Sequence, residues 1–348
     1  MGLHEEVAAI RNSVAVSRMD HVNALRLRGA RTYPALDRVI AADLHLRDGQ
    51  MIQSLILDQE GRLFADVYLG CDDEEFFLLA EGPVATDLVA VLARQFTTDG
   101  VEIVDQSATH GLVMINGPYA WELLGLLAGP DIVGLPYHTF FHFDGGIGFR
   151  AGKTGEYGYG LLVPKESVDG LVARLLGLGA GLDVAGAGLE ALDQCALDNG
   201  YLNIRREGRE PVTPIELQLQ WRVSYRKQYV GSDALVRRRR EGPRQRLTCL
   251  VSKSPLETGS EVTLEERPVG RIVNSGHCAL REDWTALALL DIHFAHPGIG
   301  AFRTGDGRGA EVRSVSAPLL NNRSLHVSPQ IHSYATRHEF VFPSLLRP

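Results

Sequence analysis

The chain has 348 residues, 45% hydrophobic and 22% charged, the balance of an ordinary soluble protein with core enough for two or three domains. Disorder, collagen-like repeats and disulfide-dense scaffolds are excluded. With 35 basic against 43 acidic residues the net charge is -8, so the surface as a whole repels phosphate backbones and anionic lipid, and neither nucleic acid nor a membrane is an expected partner.

Lysine is scarce, occurring at Lys153, Lys165, Lys227 and Lys253, while 37 glycines imply many tight turns. Cys71, Cys195, Cys249 and Cys278 are scattered without a C-x-x-C pair, so they spell neither a zinc site nor a disulfide framework. A reducing cytoplasm fits best. Glu5 and Glu6 precede any apolar run, which is wrong for a secretory signal, and no window reaches the ~18 apolar residues of a membrane helix. The expectation is a soluble, unanchored, cytoplasmic protein.

In chain order, the first pattern is an internal duplication. Residues 22–43 read as a strand with apolar Val22, Ala24, Leu25 and Leu27, then Gly29, then an amphipathic helix through Ala35, Leu36, Val39 and Ile40. Residues 111–128 repeat the plan with Leu112, Val113 and Ile115, Gly117, and a helix through Ala120, Leu123, Leu124 and Leu127. Each unit closes alike. Phe76 to Leu79 is followed by Pro83 and a helix bearing Leu88, and Leu161 to Val163 by Pro164 and a helix bearing Leu171. Two such units predict paired α+β halves sharing a core, chance similarity between βα units being the alternative.

A helix over 231–240 ends in four arginines, Arg237 to Arg240, a run read as a solvated helix end favoured by the C-terminal dipole. Short strands then dominate (247–252, 269–274, 285–292, 311–317), the pattern of a small β-barrel beginning near 241–245. The last residues carry His326, His332 and His338 without metal-ligand spacing, and no metal site is expected.

The segment Arg150 to Pro164, RAGKTGEYGYGLLVP, is by itself a glycine-punctuated turn entering a buried strand, with Glu156 as a loop carboxylate. It fits neither a P-loop nor a dinucleotide fingerprint. It closely resembles the R-x-G-Y-T-G-E-x-G-Y-E-I-x-V-P signature of the glycine-cleavage T-protein (aminomethyltransferase) family. Further similarities follow in order. Gly61 to Leu69 (GRLFADVYL) is similar to G-G-x-x-D-D-L-x-V, with Asp66 on the second aspartate. Gly188 to Gly200 is similar to G-L-x-A-R-D-x-L-R-L-E-A-G, Thr213 to Trp221 to T-P-x-E-x-x-L-x-W, and Lys227 to Leu235 to K-x-F-x-G-x-x-A-L. The cysteine of the related iron–sulfur repair branch is absent, since the chain reads Lys227-Gln228-Tyr229-Val230-Gly231.

The resemblance implies a three-domain cloverleaf: two related α+β halves, one drawn from 1–50 and 101–165 and the other from 51–100 and 166–240, a C-terminal β-barrel over 241–322, and a tail over 323–348. It implies a central channel for tetrahydrofolate, with Asp66 as the catalytic aspartate beside the reactive nitrogens. A carboxylate in a dry channel can exchange a proton with a ring nitrogen; as a plain strand-end residue, Asp66 would instead cap the turn beside Gly61. Binding candidates are Glu156, Arg246 for the carboxylates of a folate tail, and Tyr68, Tyr157 and Tyr159 for stacking on a flat ring. Glu216 is expected to brace the fold. Two departures bear on function: Gly160 stands where the signature has a pterin-binding glutamate, and Leu192 where it has an arginine. An asparagine of the family is also not evident near Ala80-Glu81-Gly82.

These residues lead to an expected enzyme that moves a methyl or methylene unit between a small molecule and tetrahydrofolate, a demethylase or specialised-metabolism enzyme rather than the glycine-cleavage component. Folate-independent acid–base chemistry in the same channel, or a non-catalytic binding or regulatory role, are the alternatives.

Overall fold

The computed structural model describes residues 2–97, 99–305 and 309–346. Two sheets pack face to face, with helices on their outer surfaces and a barrel at one end. The first sheet has the order Val184–Gly186, Val14–Arg18, His110–Asn116, Gly158–Pro164, Gly146–Arg150, Phe140–Phe143. The second has the order Met51–Leu57, Leu63–Asp72, Glu75–Glu81, Asn23–Arg28, Glu102–Asp105.

The duplication is visible in both. A leading strand, Asn23–Arg28 or His110–Asn116, lies antiparallel beside the last strand of a three-stranded meander, and a helix follows that meander, Ala85–Gln95 or Val168–Leu178. Each leading strand ends in a glycine of positive φ, Gly29 at +126° and Gly117 at +142°, before its helix, Thr32–Asp37 or Ala120–Ala128. Any side chain at Gly117 would also run into the Ser13 carbonyl.

The halves divide at different places from those expected. Asn23–Arg28 has one edge taken by Glu75–Glu81 and the other by Glu102–Asp105, so residues 23–105 form a single sheet that boundaries at 50 and 100 would cut. Helix Val168–Leu178 packs on the first sheet, through Leu171 and Leu175, rather than on the second. Leu202, Leu217, Leu219 and Leu235 instead join Leu55 and Leu57 of the second sheet. Edge pairing, a long-range choice, decides the partition.

Strand alternation sorts the side chains. Val113, Ile115, Tyr159 and Leu161 enter the helix-covered core of the first sheet, and Val67, Leu69 and Leu78 that of the second. The opposite faces meet: Leu112, Met114, Phe149 and Leu162 pack against Ala24, Phe77 and Leu79. The barrel closes in the order Gln245–Ser252, Asp283–Asp291, Arg267–Cys278, Glu261–Leu264, Phe302–Thr304, Glu311–Val315. Two of its strands, Glu261–Leu264 and Phe302–Thr304, are too short to leave a periodic signal. The arginine run ends helix Ser232–Glu241, where Arg238 meets Glu216 at 3.0 Å and Arg239 lies 4.5 Å from the Tyr225 ring. Glu216 also accepts the Thr213 backbone N–H at 3.0 Å, bracing that segment.

The C-terminal segment is a strap over the first sheet's core, into which it sends Val327 and Tyr334. Its anchor is buried. Arg11, on helix Leu3–Asn12 and fully excluded from solvent, donates to the Thr154 carbonyl at 2.7 Å and to Asn322 Oδ1 at 2.9 Å, and pairs with Glu156 at 3.5 Å and Asp198 at 3.9 Å. Glu156 in turn accepts the backbone N–H groups of Arg323 at 3.0 Å and Ser324 at 2.7 Å. Arg11→Met therefore leaves two buried carboxylates without their cation and should cost about 3–5 kcal/mol in chemical denaturation. A loss below about 1 kcal/mol would show that the cluster does not hold the fold.

Another buried carboxylate shapes the turn after helix Leu189–Asn199. Glu207 accepts the Asn203 N–H at 2.6 Å and Asn274 Nδ2 at 2.9 Å. Burial outweighs these bonds and pushes its carboxyl from 4.5 up to about 7. The protonated form is favoured in the native state, so its contribution to stability is complete below about pH 4.5 and is lost as the pH rises through about 7. The melting temperature of the wild type relative to Glu207→Gln should accordingly fall from pH 5 to pH 8. A difference independent of pH over that window would refute the assignment.

Candidate functional site

Where the two sheets meet beneath helix Leu189–Asn199, they leave a cavity of about 730 Å³, its mouth included. Met19, Val22, Leu79, Leu112, Met114 and Phe149 form its apolar walls. The helix closes it with Leu189, Leu192, Asp193 and Ala196, the one-face spacing of a helix. Polar side chains line it as well.

Asp66 lies there, 3% exposed, on strand Leu63–Asp72 and opposite Glu81 in the register. Lys153, from the signature loop, reaches between the two strands with Nζ 2.7 Å from Asp66 Oδ2 and 2.8 Å from Glu81 Oε1. The other Asp66 oxygen pairs with Arg222, whose Nη2 also donates to the Ser54 carbonyl at 2.9 Å. Burial works against the charge on Lys153, but Asp66 and Glu81 outweigh it and raise the ammonium above its usual range. Burial likewise opposes ionised Glu81, yet Lys153 and His21 hold its carboxyl well below the usual range. The arrangement alternates in sign, Arg222, Asp66, Lys153, Glu81, and presents a carboxylate of fixed orientation to a largely apolar cavity.

Several donors on the lining residues are unused. Tyr68 Oη, Asn116 Nδ2, Asn203 Nδ2 and Arg205 Nε are buried without hydrogen-bond partners among the described residues. Tyr68 packs edge-on to His138 at 6.0 Å and near Phe149 at 6.4 Å; burial holds its phenol well above the ordinary value.

A second cavity opens on the far side of Lys153, of about 1230 Å³ with its mouth, where Arg222, Arg246, Gln218, His296 and the 73% exposed Trp221 are found. Arg246 has no side-chain hydrogen bond or ion pair among the described residues.

Of the residues singled out from sequence, Asp66 and Tyr68 line the first cavity and Arg246 the second. Glu156, Tyr157 and Tyr159 line neither. The Glu156 carboxylate is occupied by the C-terminal strap and Arg11, an anchoring role. Tyr157 donates its hydroxyl to the Val327 carbonyl at 2.8 Å beneath that strap. Tyr159 falls on the helix-covered face of its strand, where burial pushes its phenol up to about 12. Gly160, on the opposite face, points at the cavity side, and a Cβ there would fall inside the Phe149 ring, so that ring occupies the place of any side chain at 160. Leu192 is part of the apolar wall.

Sequence reasoning did not assign Lys153, Arg222, Glu81, Asn116, Asn203 or Arg205. Lys153 carried a usable signal: one of four lysines, it stands where the signature has tyrosine. No group of three or more potential metal ligands occurs among the described residues.

The family model described as the GCVT N-terminal domain matches residues 1–227. An aminomethyltransferase of Mycobacterium leprae is 28% identical over 331 residues, covering 92% of this chain and 89% of the relative. One from Thermotoga maritima is 28% identical over 296 residues, covering 83% and 81%. Among solved structures, the glycine cleavage system aminomethyltransferase T of Bartonella henselae superposes with a TM-score of 0.83 at 21% identity, covering 92% of this chain and 90% of that one. With the cloverleaf fold and its closed barrel, these matches establish that the chain belongs to the GCVT family of aminomethyltransferases, a family of transferase enzymes.

Proposed function

We propose that this protein transfers a one-carbon unit between a small molecule and tetrahydrofolate, as a demethylase or a specialised-metabolism transferase rather than as the glycine-cleavage component. The carrying observation is Asp66, a carboxylate fixed by Arg222 and Lys153 in the wall of a largely apolar cavity. The departures at Gly160 and Leu192 favour a reaction other than that of the relatives, because the polar edge contacts those positions carry in the signature are replaced by Phe149 and a leucine wall.

The residues present suit a reduced pterin. Met114, Phe149 and Leu192 offer apolar faces to a flat ring, and the unpartnered Tyr68, Asn116 and Asn203 groups call for a ligand with nitrogen and oxygen atoms along its edge. When bound, tetrahydrofolate supplies the nitrogens that carry the one-carbon unit. Asp66, with Lys153 against one oxygen and Arg222 against the other, would stay ionised and stabilise positive charge on the ring opposite it. Arg222 and the Ser54 carbonyl fix the carboxylate plane, and Glu81 keeps Lys153 between the strands. The apolar walls exclude water, which strengthens each of these interactions. In the second cavity Arg246 and Arg222 supply cations suited to an anionic tail.

One observation favours a second reading, folate-independent acid–base chemistry: Lys153 contributes an ammonium beside Asp66, giving the site a cationic donor of its own.

Anaerobic titration with tetrahydrofolate separates the two. Saturable heat and a thermal shift at micromolar concentrations are expected, and no binding at high micromolar concentration would reject the folate reading. With a donor found by screening N-, O- and S-methyl compounds for methylated folate, Asp66→Asn should leave folate affinity within a few fold and slow turnover by roughly 10²–10⁴. Unchanged turnover would remove Asp66 from the chemistry.

A further inference from the structure

The turn after helix Leu189–Asn199 presents two donors that no other described residue uses. Asn203 is 5% exposed, and its Oδ1 accepts the Arg205 backbone N–H at 3.0 Å, which fixes the amide orientation and leaves Nδ2 buried without a partner. Two residues on, Arg205 Nη2 bonds Asp193 Oδ1 at 2.5 Å while its Nε is likewise buried and unpartnered. Both side chains, and Asp193, line the cavity that contains Asp66. Glu207 locks the turn from behind through the Asn203 N–H. A buried donor left unmet is unfavourable, and a ligand with the right acceptor removes that cost.

We infer that Arg205 and Asn203 form a donor pair that binds an oxygen of the ligand's ring, with Asp193 holding the guanidinium in place. A cationic N–H beside a neutral one selects a carbonyl or oxyanion over a nitrogen donor. The inference rests on the folate reading above: the one oxygen on a reduced pterin ring is its 4-oxo group, and this pair is where that group is recognised. It also accounts for how a cavity walled by Phe149 and Leu192 keeps a polar edge contact, by drawing it from a turn outside the strand and helix positions of the signature.

The test compares tetrahydrofolate with 4-amino-4-deoxytetrahydrofolate, in which an amino group replaces that oxygen, by anaerobic calorimetry. Wild type should prefer tetrahydrofolate. Arg205→Ala should weaken tetrahydrofolate roughly 10- to 100-fold, the range of a charged hydrogen bond, and change the 4-amino analogue less than about threefold. Asn203→Ala should do the same to a smaller degree, and Arg205→Lys, which keeps the charge and loses the guanidinium geometry, should fall between wild type and Arg205→Ala. A merely structural role would weaken both ligands together, and that result overturns the pair, as does an unchanged tetrahydrofolate affinity in Arg205→Ala. If wild type binds neither ligand, the folate reading fails and this inference with it; if wild type binds and the variants do not differ, this inference alone fails.

Discussion

The Arg11 guanidinium is the constraint on which the rest of the site depends. A cation fully removed from water is tolerable only when carboxylates and carbonyls surround it, and the groups that meet this need come from distant parts of the chain: the signature loop, helix Leu189–Asn199 and the C-terminal strap. Satisfying Arg11 therefore fixes those segments relative to one another. Thr154, whose carbonyl it takes, is the neighbour of Lys153, and Asp198 lies on the helix whose other turns roof the cavity. One buried charge thus sets both a wall of the cavity and the place where the lysine enters it.

The same logic governs the charged groups of the cavity. Asp66 and Glu81 face each other across neighbouring strands, an arrangement that two carboxylates would not hold without a cation between them. Lys153 supplies it from the first sheet's loop to the second sheet's strands, so the contact between halves is electrostatic there and apolar through Leu112, Met114, Phe77 and Leu79 elsewhere. The catalytic candidate sits on one duplicated unit and is held in part by a lysine of the other.

What the sequence made legible was local. Strand alternation, the two positive-φ glycines and the helices behind them, and the change of pattern before the barrel all depend on neighbours within a few residues. The division between halves was not legible, because it turns on which edges of Asn23–Arg28 are paired. At the site, Asp66 and Tyr68 share one strand face and are found together, two residues apart. Arg222 reaches Asp66 from 156 positions away, and no periodicity encodes that contact. Tyr157 and Tyr159 show the converse: aromatic residues in a recognisable signature are chemically suitable for stacking, yet alternation and the strap direct them into the first sheet's core, away from the cavity.

The missing side chain of Gly160 is not empty space, since the Phe149 ring occupies it, and Leu192 extends the same apolar surface across the helix. A cavity that has exchanged polar wall positions for packed hydrocarbon gains affinity for a flat apolar body and gives up edge recognition there. Recognition must then come from whatever donors remain buried around that surface, because a dry wall alone discriminates weakly between ligands of similar shape. Tyr68, Asn116, Asn203 and Arg205 carry the unpartnered donors proposed for it, and they come from both sheets and the turn beyond the helix. On the proposed reading, the chemistry at Asp66 and the choice of ligand would rest on different segments, and the turn at 203–207 could alter specificity while the ion pairs of the two sheets keep the carboxylate in place.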